Sequence, residues 1–221
     1  MSRFRPDLSK PSRFETVSVW ALLAMNLALL GMALAQGDVA VVDGDIEVTD
    51  GWTVAVGIAL TLVVAGLAFL LPFRRRLVRR AQIFALGAQV LHAGGHLFRL
   101  YYLFPVYDDV LHFGLAFLLG LLAFDFARSR RFVFNWRLGP ARVAILVWIA
   151  STALAGLWEI FEFSADVLAA TREQDDLTDT MVDMIDGTLG GAAAGFVAWR
   201  GLRAERRAQR LADARSDELL D

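Results

Sequence analysis

Cysteine is absent from the 221 residues, which excludes disulfides, a thiolate nucleophile and Cys-ligated zinc or iron–sulfur centres. Lysine occurs once, at Lys10, so arginine carries almost all the positive charge. Histidine occurs three times, too few for dense histidine boxes. Neither an H-E-x-x-H zinc helix nor a G-x-S-x-G nucleophile elbow is present. The E-x-x-H pairs of di-iron bundles are missing as well. Charge itself is missing from long stretches, and residues 17–36 carry none. The arginines occur in blocks between membrane-length apolar runs and form no single basic face, which excludes a nucleic-acid partner. No reaction is named by any of these motifs.

What is present is apolar length. The chain is 57% hydrophobic with 16 phenylalanines and 6 tryptophans, well above the apolar share of a soluble domain. About 20 apolar residues cross a bilayer as a helix, and six segments reach that length. They are about 17–36, 51–72, 81–104, 109–126, 141–168 and 181–199, the second ending at Pro72 and the third before Pro105. A charged helical tail, 200–221, follows. This predicts an all-α polytopic membrane protein, a single domain of six transmembrane helices. A signal peptide cleaved after Ala33-Leu34-Ala35 is the rival reading of the first segment, whose apolar run is long for that purpose. All but two of the 22 basic residues (Arg99 and Arg172 are the exceptions) fall on one side of this topology. The positive-inside rule then puts both termini in the cytoplasm of a prokaryotic cell, with the bundle in its inner membrane.

The ionisable groups of the last four helices gather near their outer ends. Taking 1.5 Å per residue, His112, Glu159, Glu162, Asp183, Asp186 and His96 lie within roughly 12 Å of those ends, and His92 one turn deeper. The inner halves of the same helices are nearly bare. Residues three or four apart share a helix face, which pairs His92 with His96, Asp108 and Asp109 with His112, and Glu159 with Glu162. It also aligns Asp179, Asp183 and Asp186. A carboxylate facing lipid costs about 2.5–3.5 kcal/mol even on insertion scales, so these stripes are expected to face inward.

Several carboxylates in one low-dielectric layer repel unless protonated or neutralised. A divalent cation does this directly. Mixed imidazole and carboxylate ligation suits Zn²⁺, Mn²⁺ or Fe²⁺, and Mg²⁺ where histidine stands aside. The candidate ligands are His92, His96, Asp108, Asp109, His112, Asp179, Asp183 and Asp186. Candidate catalytic groups are Glu159 or Glu162 as general base and Arg99 against an anionic group, in a metal-dependent hydrolase or transferase on a lipid or lipid-linked phosphate. The alternatives are a cation- or proton-linked carrier and a non-catalytic sensor or assembly protein. Gly187, Gly191 and Gly195 recur every four residues, the spacing of close helix packing.

Three ordered motifs carry a resemblance. Tyr107-Asp108…His112-Phe113-Gly114, then Trp158-Glu159-Ile160-Phe161-Glu162, then Asp176…Asp179-Thr180…Asp183-Met184…Gly190 resemble the YjdF-type family of bacterial inner-membrane proteins. The likeness covers roughly residues 82–196. It implies the architecture, a candidate polar site and an uncleaved first helix. It implies no reaction.

Overall fold

A computed structural model describes residues 10–36, 51–68, 75–129, 138–169, 174 and 176–217. Residues 37–50, whose acidic composition predicts a solvated loop, lie outside the described residues, as do Pro72 and Arg172. The described residues form seven helices: α1 (Arg13–Gln36), α2 (Gly51–Leu67), α3 (Arg75–Leu97), α4 (Leu100–Leu103), α5 (Tyr107–Ser129), α6 (Pro140–Ala169) and α7 (Leu177–Asp217). Three of them, α1, α5 and α6, are long and apolar enough to cross a membrane, and α2 is apolar but shorter.

Local chemistry sets several boundaries. The Ser12 hydroxyl accepts from the Glu15 N–H at 3.0 Å, and the Ser12 N–H donates to Glu15 Oε2 at 2.7 Å. This reciprocal cap starts α1. Asp176 Oδ1 accepts from the N–H groups of Thr178 (2.6 Å) and Asp179 (3.0 Å) and starts α7 in the same sense. One expectation is corrected here. The segment expected as one helix over 81–104 is two, because the chain turns at Phe98–Arg99, where Arg99 takes a left-handed conformation (φ 57°). Tyr101 then folds back over Gly95, which has no side chain to obstruct the ring. The charged tail expected to be helical does form helix, since α7 continues unbroken from the sixth apolar segment to Asp217.

The chain divides into two units, Met1–Leu111 with Glu162–Asp175 and His112–Phe161 with Asp176–Asp221. Helices α5 and α6 are continuous across this division. In the first unit α1 and α3 run parallel, with α2 antiparallel to both. One apolar cluster joins Leu29 and Ala33 to Ile58, Ala93 and Leu97, and a second joins Val19, Ala65 and Leu86. In the second unit Phe124, Val143, Val147, Ala194, Ala198 and Leu202 form the core.

Glycine lets α7 approach its neighbours within that second unit. A Cβ on Gly190 would collide with the Phe113 carbonyl, and one on Gly195 would come within 2.6 Å of the Ala144 carbonyl. The Gly187, Gly191 and Gly195 stripe does lie against α6, as its spacing predicts, with Ala155 and Ser151 the facing residues. Ser151 is fully buried and its hydroxyl donates to the Ala116 carbonyl at 2.6 Å, tying α6 to α5. Large apolar side chains such as Leu60, Leu146 and Ile160 are more than half exposed, as suits helices whose solvent is hydrocarbon.

Candidate metal centre

His112 stands between two acids of the second unit. Its Nδ1 lies 3.5 Å from Glu159 Oε1 on α6, and its Nε2 lies 3.8 Å from Asp183 Oδ1 on α7. All three are well shielded, with Glu159 only 5% and Asp183 only 3% exposed. The close approach of α7 through its glycines positions this contact: Gly187 follows Asp183 by one turn and packs on Ala155, one turn before Glu159.

Asp108 precedes His112 by one turn on the continuous helix α5, so the helix itself sets their proximity. Asp108, His112 and Asp183 each offer one ligand atom, and those atoms all lie within 4.8 Å of one another. One imidazole and two carboxylates at that spacing could hold a divalent ion with modest closing of the side chains. Three carboxylates around a single imidazole carry more negative charge than one imidazolium cancels, and a divalent cation would correct that imbalance.

The remaining predicted residues are distributed as follows. Glu162 is buried one turn beyond Glu159 on α6 and belongs to the first unit. Asp109, Asp179 and Asp186 are half-buried and, among the described residues, are not members of the three-residue group. His92 and His96 lie in the first unit, their rings 4.6 Å apart, as their spacing of four predicts. His92 Nδ1 shares a hydrogen bond with the Tyr101 hydroxyl at 3.2 Å, and the His96 and Tyr101 rings are 4.9 Å apart. Tyr101 stacks edge-on against Tyr107, whose hydroxyl donates to the Leu91 carbonyl at 2.8 Å. Asp108, in the same unit, acts electrostatically on His96. Arg99 is exposed, and its guanidinium sits 5.1 Å over the Tyr102 ring.

Among the described residues outside the apolar runs, Asp176, like Glu15, is a shifted acid. The Asp179 and Thr178 N–H groups that it accepts favour its charged form and hold it below the usual aspartate value. Sequence reasoning missed the tyrosines around His92 and the outer carboxylate role open to Glu159. It also missed a set of uncharged polar residues in α1–α3. Asn26, Gln82 and Gln89 interrupt otherwise apolar runs, and that interruption was the available signal.

The sequence profile of one family, described as "Predicted membrane protein (DUF2238)", matches residues 17–204. Neither a curated protein nor a solved structure matches the chain.

Proposed function

The chain belongs to the DUF2238 family of predicted membrane proteins, and from that premise we propose that it binds a divalent cation within the membrane through Asp108, His112 and Asp183. The carrying observation is the convergence of these three residues' ligand atoms to within 4.8 Å. In this reading Nε2 of His112 faces the ion beside Asp183, and Glu159 holds Nδ1 from the other side. A carboxylate behind a ligating imidazole fixes its tautomer and raises its basicity. The donor set of one imidazole and two carboxylates favours Zn²⁺, Mn²⁺ or Fe²⁺ over Mg²⁺.

The proposed setting is a prokaryotic inner membrane crossed six times, by α1, α2, α3 with α4, α5, α6 and the first half of α7, with both termini cytoplasmic. The distribution of arginines supports it. The lower hydropathy of α3 and α7 fits helices whose polar residues turn toward neighbouring helices. Metal-dependent hydrolysis or transfer on a lipid-linked phosphate, with Glu159, Glu162 and Arg99 in catalytic roles, gains no support from a further contact. Cation binding is therefore the whole of the proposed role.

Metal analysis of the purified protein tests this directly. Near-stoichiometric Zn, Mn or Fe is expected, with loss in His112→Ala and Asp183→Asn. Glu159→Gln is expected to weaken binding about 10–100-fold without abolishing it. A metal-free wild-type protein that takes up none of these ions from buffer would refute the reading.

A further inference from the structure

Polar groups accompany α3 along its whole length in the first unit. At its first turns, Glu15 Oε1 accepts from Arg76 Nε and from Arg80 Nε, each at 2.9 Å. Next, Gln82 Nε2 donates to the Ala65 carbonyl at 2.7 Å while its Oε1 accepts from Arg79 at 2.8 Å. One turn on, Asn26 Nδ2 donates to the carbonyls of Leu86 (3.1 Å) and Leu22 (2.9 Å). The Thr61 hydroxyl then donates to Gln89 Oε1 at 3.0 Å. His92, Tyr101 and His96 complete the series. Arg76 and His96 are separated along the helix by roughly 30 Å, which is the thickness of a bilayer's hydrocarbon core.

Buried side-chain amides generally find partners for both their oxygen and their nitrogen, in protein or in ordered water. Two here do not. Among the described residues, Asn26 Oδ1 and Gln89 Nε2 are buried without a hydrogen-bond partner, and Asn26 has no solvent exposure. One is an acceptor and the other a donor, and they belong to neighbouring links of the series. A buried polar atom left in this state costs about 1–3 kcal/mol, and ordered water is the usual remedy. Helix α2 presents Gly57 beside the Gln89 amide, where an added Cβ would stand 3.6 Å from Nε2.

We propose that this file conducts protons across the membrane, through waters held at Asn26, Thr61 and Gln89, between the His92–His96–Tyr101 end and the Glu15–Arg76–Arg80 end. Each transfer forms one O–H or N–H bond as the next one breaks. A proton enters from water at one end and an equivalent proton leaves to water at the other, with no oxidation. Among the described residues, the titratable and charged groups facing the file are Glu15, Arg76, Arg79, Arg80, His92, His96, Tyr101 and Tyr107, with Asp108 acting on His96. None of the residues that form the file is a proposed cation ligand, and the chelator arm of the experiment separates the two readings.

The experiment is proton uptake into liposomes holding the purified protein, driven by a valinomycin-clamped potassium gradient and read with an internal pH dye. Wild-type protein is expected to exceed empty vesicles, with or without a chelator. Gly57→Ala places a methyl against the Gln89 amide while improving helix propensity, so the rate is expected to fall to that of empty vesicles without loss of fold. Thr61→Val and Asn26→Leu should do the same, and Leu60→Ala, on the lipid side of α2, should match wild type. The inference is overturned by a wild-type rate equal to that of empty vesicles. It is also overturned by wild-type flux in folded Gly57→Ala and Thr61→Val, or by flux that a chelator removes.

Discussion

The two units answer the same solvent in opposite ways. The first distributes uncharged and charged polar groups along α1–α3 from end to end, each bonded to a backbone carbonyl or another side chain on a neighbouring helix. The second concentrates its polar chemistry at His112, Glu159 and Asp183. Below that layer it packs on glycine and alanine, with hydrogen bonds between helices from Ser151 and Trp148. Without a hydrophobic force between helices in lipid, association comes from close packing and interhelical hydrogen bonds. The first unit depends mainly on the hydrogen bonds, the second mainly on the packing. The two proposals follow the same contrast, cation binding resting on the clustered groups and proton conduction on the extended file.

The contrast breaks most visibly at glycine. Gly190→Leu forces a side chain into the Phe113 carbonyl, and overpacking of this kind costs roughly 3 kcal/mol or more. Loss of the folded second unit is expected in thermal unfolding of the solubilised protein. Gly66→Leu in the first unit, where a Cβ meets nothing within 4 Å, should leave the melting temperature nearly unchanged. Equal damage from both would erase the distinction.

A smaller effect is expected from Ser151→Ala, which removes the second unit's buried link to Ala116 for about 0.6–1.7 kcal/mol by the measured range for such bonds in membranes. The same unfolding assay reads it, and no change at all would mean that this hydrogen bond adds nothing to the packing of that unit.

The smallest effect concerns the start of α7. The folded-state value of Asp176 lies below its ordinary 3.8, so its capping contribution is fully present above that pH and fades as pH falls through the folded value. Hydrogen exchange at the Thr178 and Asp179 amides should quicken as the medium is acidified below about pH 4. Asp176→Ala should exchange fast throughout, and protection independent of pH would show that the carboxylate does not cap this helix.

Much of the fold was legible because lipid demands length and apolarity, which a sequence displays openly. The ends of α5 and α6 fall within three residues of their expected positions. The break in α3 was not legible. Nothing in Phe98-Arg99 marks a reversal, and its tertiary counterpart, Tyr101 seated on Gly95, joins residues whose contact no local pattern announces. The inner half of α3, read as bare, carries Gln82 and Gln89 in buried hydrogen bonds. A search for charge passes over amides, although an amide left without a partner in an apolar medium still costs roughly 2–7 kcal/mol.

Of the candidate centre, the sequence alone determined which residues share a face, because helical period is a local property. Asp108 and His112 therefore pair by their spacing of four. The sequence also determined that α7 would pack closely, through glycines at every fourth position. Which acids on other helices reach His112 was decided only by tertiary structure. Glu159 and Asp183 meet the imidazole from two different helices because glycine lets α7 approach, while His92 and His96 find Tyr101 after the chain reverses at Arg99. Distances between helices depend on side chains remote in sequence, and no periodicity encodes them.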